Sequence, residues 1–230
     1  MGGEVEQPLT GGAQSVGLVR VGDTVRRPRH ARSDFVHALL GHLEAVDFPG
    51  APRVLGHDEQ GRQVLTFIEG RVPHAVPFRL SDDELLSATR LIRAYHDATA
   101  TSALRGDQEV VCHGDLGPYN TVFRGNVAVA LIDWDGDVRP GRRADDFAHA
   151  VWCFADLIEA AVPLAEQARR VHLMCSAYPG MTPAVVVDEL AARFRRARAQ
   201  HQQAARPRGV EVFDRMLGWL DAHGQDIATG

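Results

Sequence analysis

Val111-Cys-His-Gly-Asp-Leu-Gly-Pro-Tyr-Asn-Thr-Val-Phe123 sets a polar loop, HGDLGPYN, between short apolar, β-prone runs. Burial of apolar surface gives no reason for such a loop, so Asp115 and Asn120, five residues apart, call for a chemical one. Downstream, TVFRGNVAVALID reads as a hairpin turning at Gly125-Asn126, and Asp133 closes its second strand. Three oxygen-bearing side chains thus fall on one loop and on the tip of a neighbouring strand, where they can converge. Two carboxylates and an amide oxygen are hard ligands suited to Mg²⁺, whose shell is completed by water and substrate phosphates. Cys or His ligand sets of the zinc type are missing. Phosphoryl transfer uses this inventory: one Asp accepts the proton of the attacking hydroxyl, while an Asn and a second Asp hold metal against the phosphates.

Composition narrows the alternatives. A chain of 230 residues, 45% hydrophobic and 24% charged, can bury one large core or two small ones as an ordinary globular protein. A net charge of −5 gives no general attraction to nucleic acid or anionic membrane, so neither is expected as a partner. Cys112, Cys153 and Cys175 are odd in number, form no CxxC pair and sit in apolar surroundings, which predicts buried, reduced thiols in a cytoplasmic protein. MGGEVEQPLT has neither the basic nor the apolar region of a signal peptide, and no window approaches 18 uninterrupted apolar residues. The MGG start lacks the Ser or Thr that myristoylation wants at the sixth position, where Glu6 stands. There is no lysine: all 25 Lys+Arg residues are arginine, which excludes any mechanism that needs an active-site lysine.

Along the chain, VGLVRV and TVRR flank a Gly22-Asp23 turn and read as a hairpin. Residues 32–46 place Phe35, Leu39, Leu40 and Leu43 at helical spacing, with Ser33 as N-cap. Arg53–Gly56 and Gln63–Ile68 are strand candidates around a Glu59-Gln-Gly61 turn. Ser81-Asp-Asp-Glu84 is a capping box that opens a long helix. From Ala144 onward the chain reads helical, with breaks near Pro163, at Tyr178–Thr182 and around Pro207. The expected architecture is α+β: residues 1–70 form a small β-rich lobe with one helix, residues 71–230 a mostly helical lobe, and a ligand cleft lies between them.

HGDLGPYN, then LIDWD, then GRRADDFA resembles the aminoglycoside phosphotransferase and choline kinase family, whose pattern is H-G-D-x-x-x-x-N, I-D-W/F-[DE], G-x-x-x-x-D-[LF]-A. The D-x-x-x-x-N spacing equals that of the kinase catalytic loop. The match is tightest across residues 111–149 and extends loosely over 9–160. The resemblance implies a protein-kinase-like two-lobed fold and a Mg²⁺-dependent transfer of phosphate from ATP or GTP to a hydroxyl of a small molecule. It implies Asp115 as catalytic base, His113 as the residue bracing its loop, and Asn120 and Asp133 as magnesium ligands. Asp135 and Asp146 would be architectural, and Asp145 receives no role. Thr10-Gly-Gly-Ala-Gln-Ser15 stands in the place of the phosphate-covering loop, with Gly11 and Gly12 against the nucleotide, although glycines between strands equally make a hairpin turn. Backbone groups of Phe67, Ile68 and Glu69 would contact the nucleobase.

Where kinases place a strand lysine, this chain has Val25-Arg-Arg-Pro28. Adjacent strand residues face opposite sides, so one of Arg26 and Arg27 points into the cleft, and Arg26 is the one expected there. The helix that should supply its acid partner has only Asp34 in its first turn and Glu44 in its last, with His37 nearer the expected place, so the family's ion pair is not expected to form in its usual way. The alternative reading is a weakly active or inactive nucleotide-binding immunity or regulatory protein, like the small trifolitoxin-immunity-like branch of the family. Arg193, Arg195, Arg196 and Arg198 read either as a solvated helix face or as an RNA contact. Asp156, Glu159, Asp188 and Glu189 read as surface charge or as the receptor for a cationic acceptor. Trp134 and Trp152 are expected in the core, and the oligomeric state is not readable.

Overall fold

The computed structural model describes residues 5–9, 17–135 and 137–230. An antiparallel sheet in the order β1-β2-β3-β5-β4 opens the chain: β1 (Gln7–Pro8), β2 (Val19–Val21), β3 (Thr24–Arg27), β4 (Val54–His57) and β5 (Gln63–Thr66). The Gly22-Asp23 turn joins β2 to β3, with Gly22 in the left-handed region at φ 58°. Helix α1 (Ser33–Ala45) follows β3. Arg32 rather than Ser33 is its N-cap, because Ser33 is already helical and its hydroxyl accepts the His30 amide at 2.8 Å in the preceding turn.

Helix α2 (Asp82–Thr99) begins at the expected capping box. Ser81 Oγ accepts from the Glu84 amide, and Glu84 Oε2 accepts from the Ser81 amide at 2.8 Å, satisfying two donors that the first turn would otherwise strand. Its buried face, Leu85, Ala88, Ile92 and Tyr95, follows the helical period and packs on the hairpin of β7 (Thr121–Arg124) and β8 (Val127–Leu131). Four further helices complete the C-terminal part: α3 (Arg143–Phe154), α4 (Leu164–Ser176), α5 (Pro183–Gln203) and α6 (Pro207–Thr229). Pro207 starts α6 and Pro183 starts α5, as suits a residue with no amide to leave unpaired in the first turn. Among the described residues no helix is long and apolar enough to cross a membrane.

One pairing escapes the sequence pattern. Strand β6 (Val110–Cys112), just before the polar loop, pairs with β9 (Arg139–Gly141), with Val111 opposite Pro140. One close link ties the sheet's connector to the site. The connector after β5 joins the second hairpin through reciprocal Arg71–Phe123 backbone hydrogen bonds of 2.8 Å each. Gly70, at φ 155°, lies where a side chain would run into Val122 and the Phe123 carbonyl, so the approach requires glycine.

Candidate functional site

A cavity of about 1030 Å³ lies between the sheet and the helical part. Val25, Arg27 and Leu65 line it from the sheet, Phe67 and Ile68 from the connector, and Asp115, Asn120 and Asp133 from the second hairpin and its loop. The three oxygen donors picked out by spacing therefore share one cleft.

Asp146, wholly buried at the start of α3, builds the loop that carries Asp115. Its carboxylate accepts from the amides of His113 and Gly114, both at 2.9 Å, and from His96 Nε2 at 3.0 Å. Burial pushes this carboxyl up, but the His96 ring and the backbone donors outweigh burial and hold it well below the usual carboxylate range. Gly114, at φ 88°, turns where a side chain would strike the Asp137 carbonyl. His113 does not line the cleft: it is buried, its Nε2 lies 3.0 Å from the Ile132 carbonyl, and its ring packs on Trp134. It positions the loop from behind.

Asp115 is held by three donors. Tyr119 donates to Oδ1 at 2.7 Å, His149 Nε2 lies 3.3 Å from the same oxygen, and Asn120 Nδ2 donates to Oδ2 at 3.0 Å. Burial raises the Asp115 carboxyl, yet the hydrogen bonds from His149 and Tyr119 prevail and hold it at about 2. The His149 imidazole is pressed down by burial, but Cys153 and the Asp115 carboxylate push it up to about 9. His149 and Cys153, one turn apart on α3, and Tyr119 were not picked out by the sequence. Cys153 lines the cavity, unlike the buried Cys112 and Cys175, which corrects the expectation of three buried thiols.

The Asn120 amide nitrogen is engaged by Asp115, which leaves Oδ1 without a hydrogen-bond donor among the described residues. Asp133, at φ 62°, is a non-glycine residue in the left-handed region, a conformation Asp tolerates better than most residues and one that clusters at functional sites. Burial raises its carboxyl against the opposing pull of Arg27. An amide oxygen and a carboxylate facing one cleft fit a hard divalent cation whose other ligands are phosphates and water. Among the described residues no three His, Cys, Asp or Glu side chains group as a self-sufficient metal cage.

The strand arginine in the cleft is Arg27, not Arg26. Alternation along β3 turns Arg26 to the opposite side, 3.7 Å from Asp58, while Arg27 donates to the Trp134 carbonyl and stands 3.8 Å from Asp133. Among the described residues no helical acid meets it: Asp34 pairs with Arg29, Glu44 makes no ion pair with it, and His37 stacks on His57. Phe67 and Ile68 line the cavity, but Glu69 does not; its side chain pairs with Arg20 at 2.9 Å and its carbonyl accepts from Arg124. The Ile68 amide and carbonyl have no partner among the described residues, a free backbone edge at the rim. Gly11 and Gly12 lie outside the described residues.

The remaining candidates sort by their partners. Arg193 donates to the Gly114 carbonyl at 3.0 Å, Arg196 to Asp145 at 2.6 Å and Arg198 to Asp214 at 2.5 Å. Three of the four arginines of that run thus face their own fold, and Asp145, given no role above, is the acceptor of one. Trp134 is buried in the core behind the cavity wall it helps to line, and the less buried Trp152 also lines the cavity and stands edge-on to His149 at 5.5 Å.

Comparisons with known proteins identify a family and a fold. Residues 27–184 match the model of the "Phosphotransferase enzyme family". A trifolitoxin immunity protein of Rhizobium leguminosarum bv. trifolii is 38% identical over 168 residues, 66% of this chain and 62% of that protein, so the chain spans less than two thirds of that relative's length. The structure is similar to a choline/ethanolamine kinase family protein from Mesorhizobium loti, with TM-score 0.55 and 16% identity over 93% of this chain and 85% of that one. It is also similar to the GDP and kanamycin complex of APH(2")-IIia, with TM-score 0.58 and 11% identity over 96% and 94% of the two chains. These likenesses below 25% identity speak for the α+β, kinase-like fold. With the family model covering more than half its length and the motif residues gathered in one cleft, this chain belongs to the phosphotransferase enzyme family.

Proposed function

We propose that the protein is a Mg²⁺-dependent phosphotransferase that moves the γ-phosphoryl group of ATP or GTP to a hydroxyl of a small molecule. The observation that carries this reading is the single cleft shared by Asp115, Asn120, Asp133 and Arg27. Residues 1–70 act as the nucleotide-binding lobe and residues 71–230 as the catalytic and acceptor lobe. Asp115, an oriented anion, accepts the proton of the acceptor hydroxyl, a role worth about 10²–10⁴-fold in rate. Asn120 Oδ1 and Asp133 hold Mg²⁺, which when bound neutralises the charge on the phosphates. Arg27 faces the phosphates in the role the sequence gave to Arg26, and its planar guanidinium suits their oxygens. The unpaired Ile68 backbone offers the nucleobase a donor and an acceptor, between apolar walls that include Val25 and Leu65.

Thermal-shift measurements with Mg-ATP and Mg-GTP test this, because a ligand that binds only the folded state raises its stability. Metal-dependent stabilisation is expected in the wild type and in Arg26→Ala, and is lost in Asp133→Ala and Arg27→Ala. Nucleotide turnover is lost in Asp115→Ala. Equal shifts in the wild type and Asp133→Ala overturn the metal assignment.

A second reading is a weakly active or inactive nucleotide-binding immunity or regulatory protein. The donors around Asp115 favour it: about four lone-pair sites serve a carboxylate, and Tyr119, His149 and Asn120 engage three of them here. Mg-ATP stabilisation without turnover of any acceptor supports this reading.

A further inference from the structure

The end of the cavity beyond Asp115 has a character of its own. Its walls are aromatic and aliphatic: Phe78 lies 6.2 Å from the Tyr119 ring, Trp152 stands edge-on to His149, and Leu157, Ile158 and Met216 complete them. A polycationic acceptor would need unpaired carboxylates here, since an ammonium moved out of water without a partner is costly. Of the carboxylates beside these walls, Asp156 and Asp115 are engaged through both oxygens and Glu159 through one. Asp156, which lines this end, is buried, receives Arg170 Nη1 at 2.7 Å and accepts the Phe78 amide at 3.1 Å. An ammonium placed beside it would face the Arg170 guanidinium. Glu159 accepts the Ala161 amide at 3.0 Å through one oxygen, and Asp115 is held by its own donors.

We propose that the acceptor is an uncharged, ring-bearing alcohol, an aromatic or alicyclic hydroxyl compound, rather than a polycationic amine. This rests on the phosphotransfer reading only for the fate of the hydroxyl; the selectivity itself is a property of the walls. A flat or puckered ring would lie against the wall that Phe78, Tyr119 and Trp152 form, with its hydroxyl directed to Asp115 and its apolar face against Leu157 and Ile158.

The test measures binding of phenyl β-glucoside, a neutral ring alcohol, against kanamycin, a polyamine, to the wild-type protein by titration calorimetry, with the Mg-ATP thermal shift recorded on the same preparation. Phenyl β-glucoside is expected to bind about tenfold or more tighter than kanamycin. Trp152→Ala weakens phenyl β-glucoside about fivefold or more, and Phe78→Leu serves as the second wall variant if Trp152→Ala does not fold. Kanamycin binding as tightly as the glucoside, no saturable glucoside binding, or wall variants that leave its affinity unchanged overturn the proposal. A protein that prefers the glucoside but shows no Mg-ATP shift keeps this proposal and loses the phosphotransfer reading, so the two failures are distinguishable.

Discussion

Two loops face the same cavity, and each is tied down by a buried aspartate that accepts backbone amides, yet the two aspartates differ in what they meet. Asp146 gathers the His113 and Gly114 amides and the His96 ring in the interior, and is held well below the usual carboxylate range. Asp156 receives one backbone amide, from Phe78, and the Arg170 guanidinium; burial raises its carboxyl more than these donors lower it. The loop that carries Asp115 is thus held by an anion its surroundings favour, and the loop that carries Phe78 by one they tolerate. On the phosphotransfer reading, the more favourably held loop is the one that would place the reacting group, as preorganisation requires.

The largest effect that would break this contrast is Asp146→Ala. It strands two loop amides and a buried imidazole at a cost of about 3–5 kcal/mol, a Tm drop on the order of 10 °C for a chain this long. Calorimetric melting checks it, and a loss no larger than that of Asp156→Asn would erase the distinction. Gly114→Ala comes next, at about 2 kcal/mol, from left-handed backbone strain plus the collision with the Asp137 carbonyl. Asp156→Asn follows at about 1–2 kcal/mol, since an amide can still accept from Phe78 while Arg170 loses one of its two charged partners and keeps Glu166. Arg193→Ala, which gives up the bond to the Gly114 carbonyl and a long 3.9 Å contact with Asp145, costs about 1 kcal/mol.

Acid sharpens the same comparison. The Asp146 carboxyl lies below its unfolded value, so its stabilisation is complete above about pH 4 and is lost as pH falls through that range and below. The Asp156 carboxyl lies above its unfolded value, so its contribution is fully present below about pH 4 and is lost as pH rises through the folded value. As pH falls from 7 to 4, the wild type is therefore expected to gain stability over Asp156→Asn, while its lead over Asp146→Ala does not grow. Urea melts of the three proteins across that range measure it; a wild type that loses ground to Asp156→Asn on acidification contradicts the assignment.

What the sequence made legible was local. The Ser81–Glu84 capping box, the Gly22-Asp23 turn and the Gly125-Asn126 turn each depend on residues within four positions of one another, and each stands where expected. The loop and strand tip holding Asp115, Asn120 and Asp133 were legible because they lie close in sequence and carry side chains a core has no use for. The β6–β9 pair was not, because its partners stand 27 or more residues apart and β9 contains Pro140, which reads as a breaker. Alternation required that Arg26 and Arg27 face opposite sides but could not say which side held the cleft; the packing of the sheet decided for Arg27. His149 and Cys153 sit one turn apart on α3 and resemble core positions of any amphipathic helix. Only their meeting with Tyr119 and Asp115 across the fold marks them as part of the site.

The Arg71–Phe123 bridge leaves almost no slack between the sheet and the hairpin whose base bears Asn120. Were the sheet to tilt over its ligand, the pull would reach Asn120 through three residues of extended backbone. Shutting the lid and setting the amide oxygen would then be a single mechanical act.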